Sequence, residues 1–296
     1  MTPGAAGEPL FTAEEIRRLE RLHIRRRRAV HGGIQGEWRS ARYGSSGLFA
    51  DHRGYVAGDD LRYVDWNVFG RLGDLVVKRF EAEENVNLLL CVDRSLSMSG
   101  RKTRAARRLA GALGVLALTH LDHVRLAWLP APSRVPLTSY RSRSRTGPFM
   151  AHLAATPDQG TTDHVRDLGR VLAAARHRGL ALLVSDFFDP EGAIRGLALL
   201  RARGLEVGAI HVVDPGDVDL PPGGSIVAVD SETGETMEID VTPALETRLR
   251  RAWEGRMQSL ERWCLAREIP YQRVDARNTL WETLRAMLTA RVAVGA

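Results

Sequence analysis

The second part of the chain alternates between short, continuously apolar runs and longer segments in which apolar residues recur at helical spacing. Continuous apolar runs are typical of strands that are buried on both faces of a parallel sheet. The predicted strands are 86–92, 123–129, an edge strand at 134–140, 180–185, 205–213 and 269–274. The predicted helices are about 101–120, 147–155, 164–177, 190–203, a long helix from Thr242-Pro243, and Thr279 to about Arg291. This alternation predicts an α/β fold with a doubly wound, mainly parallel sheet and helices on both faces.

The first part of the chain has a different pattern. A helix is predicted over about 13–29, because Thr12 and Glu15 form a capping box at its start. The residues that follow are rich in glycine, with scattered aromatic side chains. Within them the alternating segment 75–80 predicts a strand that lies beside the strand ending before Asp93.

This change of pattern divides the chain into three parts. The first of these three parts, residues 1–12, is rich in glycine, proline and alanine and is predicted to be disordered. The second is a helix followed by a Gly- and aromatic-rich β segment, and the third is the α/β domain with an inserted hairpin. The predicted bounds are 1–12, 13–84 and 85–291, with the hairpin at about 225–240.

Oxygen-bearing side chains follow the predicted strands where those strands end. In a doubly wound sheet these positions meet at one edge, beyond the carboxyl ends of the strands, where ligands bind. Carboxylates and short hydroxyls suit Mg²⁺ or Mn²⁺ far better than a softer metal. The candidate ligands are Asp93, Ser95 and Ser97 after strand 86–92, a threonine of the loop Gly160-Thr161-Thr162-Asp163, and Asp186 after strand 180–185.

The same residues have a purely structural interpretation. Short polar side chains often cap helices. Ser97 or Ser99 could cap the helix that begins near residue 101, and Thr162 with Asp163 could cap the helix 164–177.

Composition and charge narrow the function classes. The 296 residues are 44% hydrophobic, enough for a large core. No run of 18 apolar residues occurs and the N-terminus lacks a signal pattern, so we expect a soluble, cytoplasmic protein without membrane insertion. The net charge is +6, with arginine clusters at 25–28 and 141–145. We interpret these clusters as solvated surface, with contact to phosphate or an acidic partner as the alternative. Because no aromatic residues are interleaved with them, the sequence disfavours nucleic acid as a partner.

Several enzyme motifs are absent from the sequence. It contains no P-loop, no Gly-x-Ser-x-Gly elbow and no His-Glu-x-x-His. The two cysteines, Cys91 and Cys264, form neither a disulfide framework nor a metal motif. The scattered histidines favour surface or packing roles.

The Asp-x-Ser-x-Ser loop, the threonine loop and the later aspartate resemble the metal-ion-dependent adhesion site (MIDAS) of von Willebrand factor type A (vWA) domains. The resemblance covers residues 86–214 and implies a vWA/Rossmann-like fold. It assigns the metal ligands to Asp93, Ser95, Ser97, Thr162 and Asp186, with Thr161 as the alternative to Thr162. The chain departs from the commoner Thr-Asp-Gly of these domains, because it has Ser185-Asp186-Phe187 there.

A narrower resemblance extends outside this region. The pattern Gly58-Asp59-Asp60-x-Arg62-x-x-Asp65-Trp66, followed by Val77-Lys78-Arg79-Phe80, is similar to the bacterial family called domain of unknown function 58 (DUF58). Members are typically encoded beside MoxR-type AAA+ ATPases, which implies a role as an adaptor or partner of such an ATPase. The acids among these residues could form a second metal or partner site. We favour a buried salt-bridge network in which Arg62 pairs with an acid and Trp66 packs beneath.

These observations lead to two functional hypotheses. The preferred one is a non-catalytic, metal-dependent protein-binding module, in which Ser95 and Ser97 hold the ion directly and a partner carboxylate fills an open position. Mg²⁺ is the preferred ion, with Mn²⁺ or Ca²⁺ as alternatives. The second hypothesis is a metal-dependent phosphoesterase or nuclease, which would need a base or nucleophile beside the metal. The sequence near Asp93 offers no evident residue for that role.

Overall fold

The computed structural model describes residues 10–21, 49–80, 87–119, 123–174, 179–221, 223–231 and 233–289. The described residues fall into two units. The larger unit contains the first helix and everything from residue 87 onward, and the smaller unit contains residues 49–80. Within these ranges, no helix has both the length and the apolar character needed to cross a bilayer.

The described residues form ten strands and eight α-helices. The strands are β1 (Phe49–Gly54), β2 (Val76–Phe80), β3 (Asn87–Asp93), β4 (His123–Leu129), β5 (Thr138–Arg141), β6 (Gly179–Ser185), β7 (Leu205–Val213), β8 (Gly224–Val229), β9 (Thr236–Val241) and β10 (Tyr271–Asp275). The helices are α1 (Ala13–Arg21), α2 (Trp66–Leu72), α3 (Arg101–Thr119), α4 (Thr146–Ala155), α5 (His164–Ala174), α6 (Pro190–Ala202), α7 (Pro243–Leu265) and α8 (Leu280–Thr289).

The larger unit is built on a six-stranded sheet with the order β10-β7-β6-β3-β4-β5. All neighbouring pairs are parallel except β4 with β5. The chain moves from β3 outward through β4 and β5, and then crosses to the other side of β3 for β6 and β7. The loops that follow β3 and β6 therefore diverge, which opens a crevice at the carboxyl edge of the sheet. The predicted α/β architecture with a mainly parallel sheet is confirmed.

Both faces of this sheet are covered, and β3 shows why. Successive side chains of a strand point to opposite faces. Leu88, Leu90 and Val92 join the core that includes α3. Leu89 and Cys91 join the other core, which includes residues of α5 and α6. Residues 88–92 are therefore apolar at every position, as the continuous run predicted.

Helix α1 belongs to the larger unit, whereas the predicted segment 13–84 grouped it with the residues that follow. Leu19 is fully buried in the core that includes α3. The capping box is present, because Thr12 Oγ1 accepts from the Glu15 amide at 3.1 Å and Glu15 accepts from the Thr12 amide at 2.8 Å. The predicted extension of the helix over 22–29 lies outside the described residues.

The prediction of a disordered N-terminus is wrong for the residues just before α1. Phe11 is buried in the same core, and its ring lies close to Gly111 of α3. A single aromatic side chain gives this Gly- and Pro-rich segment an apolar anchor, which composition alone did not indicate. The remainder of that prediction, residues 1–9, lies outside the described residues.

In the smaller unit, β1 and β2 form an antiparallel pair. The sequence placed the segment 75–80 beside β3, and this expectation is wrong. Both edges of β3 are already occupied, by β4 on one side and β6 on the other. The described hairpin β8–β9 is likewise a separate two-stranded sheet, at the position predicted for the insertion.

The acidic cluster of the smaller unit is neutralised locally. Arg53 forms two hydrogen bonds to Asp59 at 2.6 and 2.7 Å, and Arg62 approaches Asp60 at 2.6 Å. Asp65 caps α2 and contacts His52 and Lys78.

The expected ion pairing is therefore present, but the expected burial is wrong for the Arg62–Asp60 pair, whose side chains are 84% and 42% exposed, and for Trp66. Trp66 begins α2 and is 57% exposed. The sequence predicts no helix over these residues, so α2 is a further correction.

Close packing of α3 against α4 gives a test of the core. A Cβ atom added at Gly114 would lie 2.1 Å from the ring of Phe149, which is fully buried. We expect Gly114→Ala to lower the free energy of unfolding by about 1–2 kcal/mol, because overpacking outweighs the gain in helix propensity. Urea denaturation measures the change.

Gly255, an exposed position within α7, is the matched control, since an added Cβ there meets no atom within 4 Å. Gly255→Ala should raise the free energy of unfolding by about 0.5–1 kcal/mol. Equal effects of the two substitutions would contradict the described packing.

Candidate functional site

The carboxylate of Asp93 lies at the carboxyl end of β3 and is 2% exposed. Its Oδ1 accepts hydrogen bonds from the Ser95 amide at 2.9 Å and from Thr162 Oγ1 at 2.8 Å. Its Oδ2 accepts from Ser185 Oγ at 2.6 Å. Three segments that are distant in sequence therefore meet at one carboxylate.

The loop after β3 presents two hydroxyls side by side. Ser95 Oγ and Ser97 Oγ are 3.0 Å apart, and Ser95 is buried. A short 3₁₀ turn over Leu96–Met98 produces this spacing, because it turns the chain between the two serines. The Leu96 amide donates to the carbonyl of Gly160 at 3.0 Å, which ties this loop to the threonine loop.

Of the two candidate threonines in this loop, Thr162 is the one that contacts Asp93. Thr162 contacts Asp93 through its hydroxyl, whereas Thr161 is exposed. The alternative capping interpretation holds for Asp163 instead, since Asp163 Oδ1 accepts from the Arg166 amide in the first turn of α5 at 3.0 Å.

Asp186 follows β6 at the same edge of the sheet, and its charge acts on Asp93. Burial, and secondarily the nearby charge of Asp186, raise the pKa of the Asp93 carboxyl. Asp186 Oδ2 accepts a hydrogen bond from Lys102 Nζ at 2.9 Å. All five residues predicted as ligands thus lie at one edge, and the structure adds a cation beside one of them.

Lys102 is a site residue that the sequence analysis missed. It lies in the first turn of α3, and its Nζ also donates to Asp217 Oδ2 at 2.8 Å. Burial disfavours the charged ammonium, but the charges and hydrogen bonds of Asp186 and Asp217 outweigh it and raise the pKa of Lys102. One signal was available in the sequence, since Lys102 is one of only two lysines among 42 basic residues.

Ser185 and His164 are two further residues whose role was missed. Ser185 Oγ donates to Asp93, accepts from the Phe187 amide at 3.0 Å and lies 3.3 Å from His164 Nε2. With its single proton directed to Asp93, Ser185 is an acceptor toward His164, which places a proton on Nε2. His164 therefore holds the Ser185 hydroxyl in place, and Ser185 in turn orients the Asp93 carboxylate through Oδ2. The departure from Thr-Asp-Gly was the available signal for Ser185.

Phe187 occupies the position of the glycine in that commoner pattern. Its φ is 47°, in the left-handed region that favours glycine. The ring is buried, stacks on His164 at 5.7 Å between centroids and makes a T-shaped contact with His211 at 5.3 Å between centroids. Burial of the ring stabilises a backbone conformation that an exposed phenylalanine would not retain.

The donor chemistry at this edge fits a hard divalent ion. The described residues include no group of three or more His, Cys, Asp or Glu side chains placed to hold a metal. An ion here would therefore depend on the hydroxyls of Ser95, Ser97 and Thr162 together with the two carboxylates. Such all-oxygen surroundings suit Mg²⁺ or Mn²⁺ and do not suit Zn²⁺ or copper.

Solved structures show only weak overall likeness. The chain resembles the conserved hypothetical protein BatB from Bacteroides thetaiotaomicron with a TM-score of 0.41 at 16% identity, over 70% of this chain and 97% of that one. An aerotolerance-related membrane protein from Bacteroides fragilis gives a TM-score of 0.37 at 16% identity, over 69% and 98% of the two chains. Both TM-scores are too low to identify a shared fold.

Sequence comparison is more informative. An uncharacterized protein of Mycobacterium tuberculosis is 31% identical over 245 residues, which cover 79% of this chain and 76% of that protein. An uncharacterized protein of Mycobacterium avium is 36% identical over 124 residues, 40% of this chain and 71% of that protein. Residues 51–261 match the family described as "Protein of unknown function DUF58". The chain therefore belongs to the DUF58 family.

Proposed function

We propose that residues 85–291 form a vWA-like domain that binds a protein partner through a divalent ion and catalyses no reaction. The observation that carries this proposal is the convergence of Ser95, Thr162 and Ser185 on the buried carboxylate of Asp93. It brings together the parts of the adhesion site that the resemblance implies, at the sheet edge where α/β folds bind ligands.

The chain's own residues divide the work of this site. Ser95 and Ser97 would bind the ion directly through their neutral hydroxyls, while Asp93, Thr162 and Asp186 would bind it directly or through water. Mg²⁺ is the preferred ion, with Mn²⁺ or Ca²⁺ as alternatives. A bound ion would supply a positive charge to which a carboxylate of the partner could bind.

Charge balance supports an acidic ligand from outside. Three of the five residues in the set contribute neutral hydroxyls, and Lys102 already partly neutralises Asp186. The site therefore carries little net negative charge to repel an added carboxylate. A shell of carboxylates would have satisfied the ion fully and left no attraction for a partner.

An exposed aromatic residue beside the site supports a protein as the partner. Phe188 directly follows Asp186 and Phe187, and it is 65% exposed. Arg256 of α7 lies 5.4 Å from its ring. Aromatic and arginine side chains dominate the energetics of protein interfaces. We therefore assign Phe188 as the apolar anchor next to the ionic contact.

The identity of the partner rests on the DUF58 resemblance, which implies a MoxR-type AAA+ ATPase. We expect such an ATPase to be recovered with the full-length protein from its own lysate when Mg²⁺ is present, and to be lost in EDTA. Mass spectrometry of the recovered proteins checks this. An ATPase recovered equally well in EDTA would contradict the role of the ion.

Replacement of Asp93 tests the binding of the ion and of the partner. We expect Asp93→Asn to abolish the stabilisation of the protein by Mg²⁺ and the recovery of the partner. In EDTA the free energy of unfolding should fall by roughly 1–3 kcal/mol, because the single amide oxygen of Asn cannot accept from all three donors that surround Asp93. The test is therefore the change in stability that Mg²⁺ produces in each protein. Urea denaturation with and without Mg²⁺ measures both effects.

Asp163→Asn is the matched control, since it removes the exposed carboxylate that directly follows Thr162, the loop partner of Asp93, and keeps a side chain that caps helices well. It should respond to Mg²⁺ like the unmodified protein. Equal stabilisation of Asp93→Asn by Mg²⁺ would exclude this carboxylate from the site.

Replacement of the exposed aromatic residue should affect only the partner. We expect Phe188→Ser to weaken partner binding by roughly tenfold or more while Mg²⁺ affinity stays unchanged. Val227→Ser is the control, because Val227 of β8 is equally exposed, at 64%. Similar losses in both variants, measured by surface plasmon resonance with the purified ATPase, would contradict a defined anchor.

A further inference from the structure

Lys102 is almost fully enclosed between two acids. Its side chain is 9% exposed, and its Nζ lies 2.9 Å from Asp186 Oδ2 and 2.8 Å from Asp217 Oδ2. A buried ammonium is strongly unfavourable unless carboxylates accompany it. The compact ammonium, with three donors on a flexible stem, can serve two carboxylates in different directions, which the planar fork of arginine does less well.

The two acids differ in their surroundings. The Asp186 side chain is 8% exposed and belongs to the proposed ion site, whereas that of Asp217 is 40% exposed and lies in the turn after β7. Asp217 contributes to none of the contacts of Asp93. Lys102 therefore bridges one carboxylate inside the site and one outside it.

An ammonium and a divalent ion cannot share a carboxylate without cost. Lys102 occupies Asp186 Oδ2, and an ion that used the same carboxylate would lie next to a positive charge in a poorly hydrated environment. Asp217 lowers this cost, since the Lys102 ammonium can remain paired with Asp217 when its bond to Asp186 lengthens.

We propose that Lys102 is an internal cation that competes with the divalent ion for Asp186, and that Asp217 determines how strongly it competes. This inference rests on the proposed ion site. In the absence of the ion, Lys102 keeps the buried Asp186 neutralised. When the ion binds, Asp217 retains the ammonium, so the Lys102–Asp217 pair sets the concentration of ion at which the site fills.

Two substitutions should change ion affinity in opposite directions. Lys102→Met removes the competitor, so affinity for Mn²⁺ should rise by roughly tenfold or more. Asp217→Asn leaves Lys102 with Asp186 as its charged partner, so affinity should fall. A merely structural role for Lys102 predicts a different result, in which both variants lose affinity through disorder of the site.

The experiment titrates the metal-free, full-length protein with Mn²⁺ and follows free Mn²⁺ by electron paramagnetic resonance, with circular dichroism to verify folding. Arg101→Met is the local control, because it removes the neighbouring positive charge, whose contact is a 3.5 Å pair with Asp214 on an exposed side chain. Screening by solvent should hold its effect below about twofold. If Lys102→Met does not fold, Lys102→Gln takes its place, because it also removes the positive charge and should also raise the affinity for Mn²⁺.

The outcomes separate this inference from the proposed function. Mn²⁺ bound by the unmodified protein, lost in Asp93→Asn and not tightened in Lys102→Met would overturn the role of Lys102 and leave the ion site intact. Binding by Lys102→Met alone would support the competition and show that the unmodified site fills only at higher ion concentration. Absence of binding in the unmodified protein and in Lys102→Met would overturn both.

Discussion

The buried carboxylate of Asp93 is the group on which the carboxyl edge of the sheet depends. Removed from water, a carboxylate is stable only where donors surround it. The donors come from Ser95 nearby and from Thr162 and Ser185, which are 69 and 92 residues away in sequence. One charged group thus determines the positions of two loops and the end of a strand. Its position in the middle of the sheet, at the end of β3, makes this possible.

The charge of Asp186 acts on the Asp93 carboxylate, and Lys102 partly neutralises Asp186. Two acids in a poorly hydrated crevice repel each other, and this repulsion contributes to the raised pKa of Asp93. Lys102 reaches Asp186 from the first turn of α3, and it brings Asp217 into the same network. Lys102 therefore neutralises part of the negative charge of the three acids at this edge.

The parts of this arrangement that sequence could predict are those encoded locally. Continuous apolar runs follow from burial on both faces, and the ends of such strands place Asp93 and Asp186 at a common edge. Lys102 and His164 could not be found in this way, because their roles arise from contacts across the sheet that no spacing encodes. The same limit explains the failures outside the site. The partner of β2 depends on which edges of β3 are free, and the burial of Phe11 depends on a glycine a hundred residues later.

The sequence Ser185-Asp186-Phe187 departs from the commoner Thr-Asp-Gly. Its Phe187 side chain supports both proposed contacts with a partner, the ionic one and the apolar one. A phenylalanine with positive φ costs about 1–3 kcal/mol of backbone strain, which persists only when the surroundings compensate. Compensation comes from His164 and His211, which hold the buried ring of Phe187. Because the chain turns at this residue, Asp186 stays within reach of Lys102 while Phe188 emerges into solvent. The ionic and the apolar parts of the proposed partner surface therefore depend on the packing of a single ring.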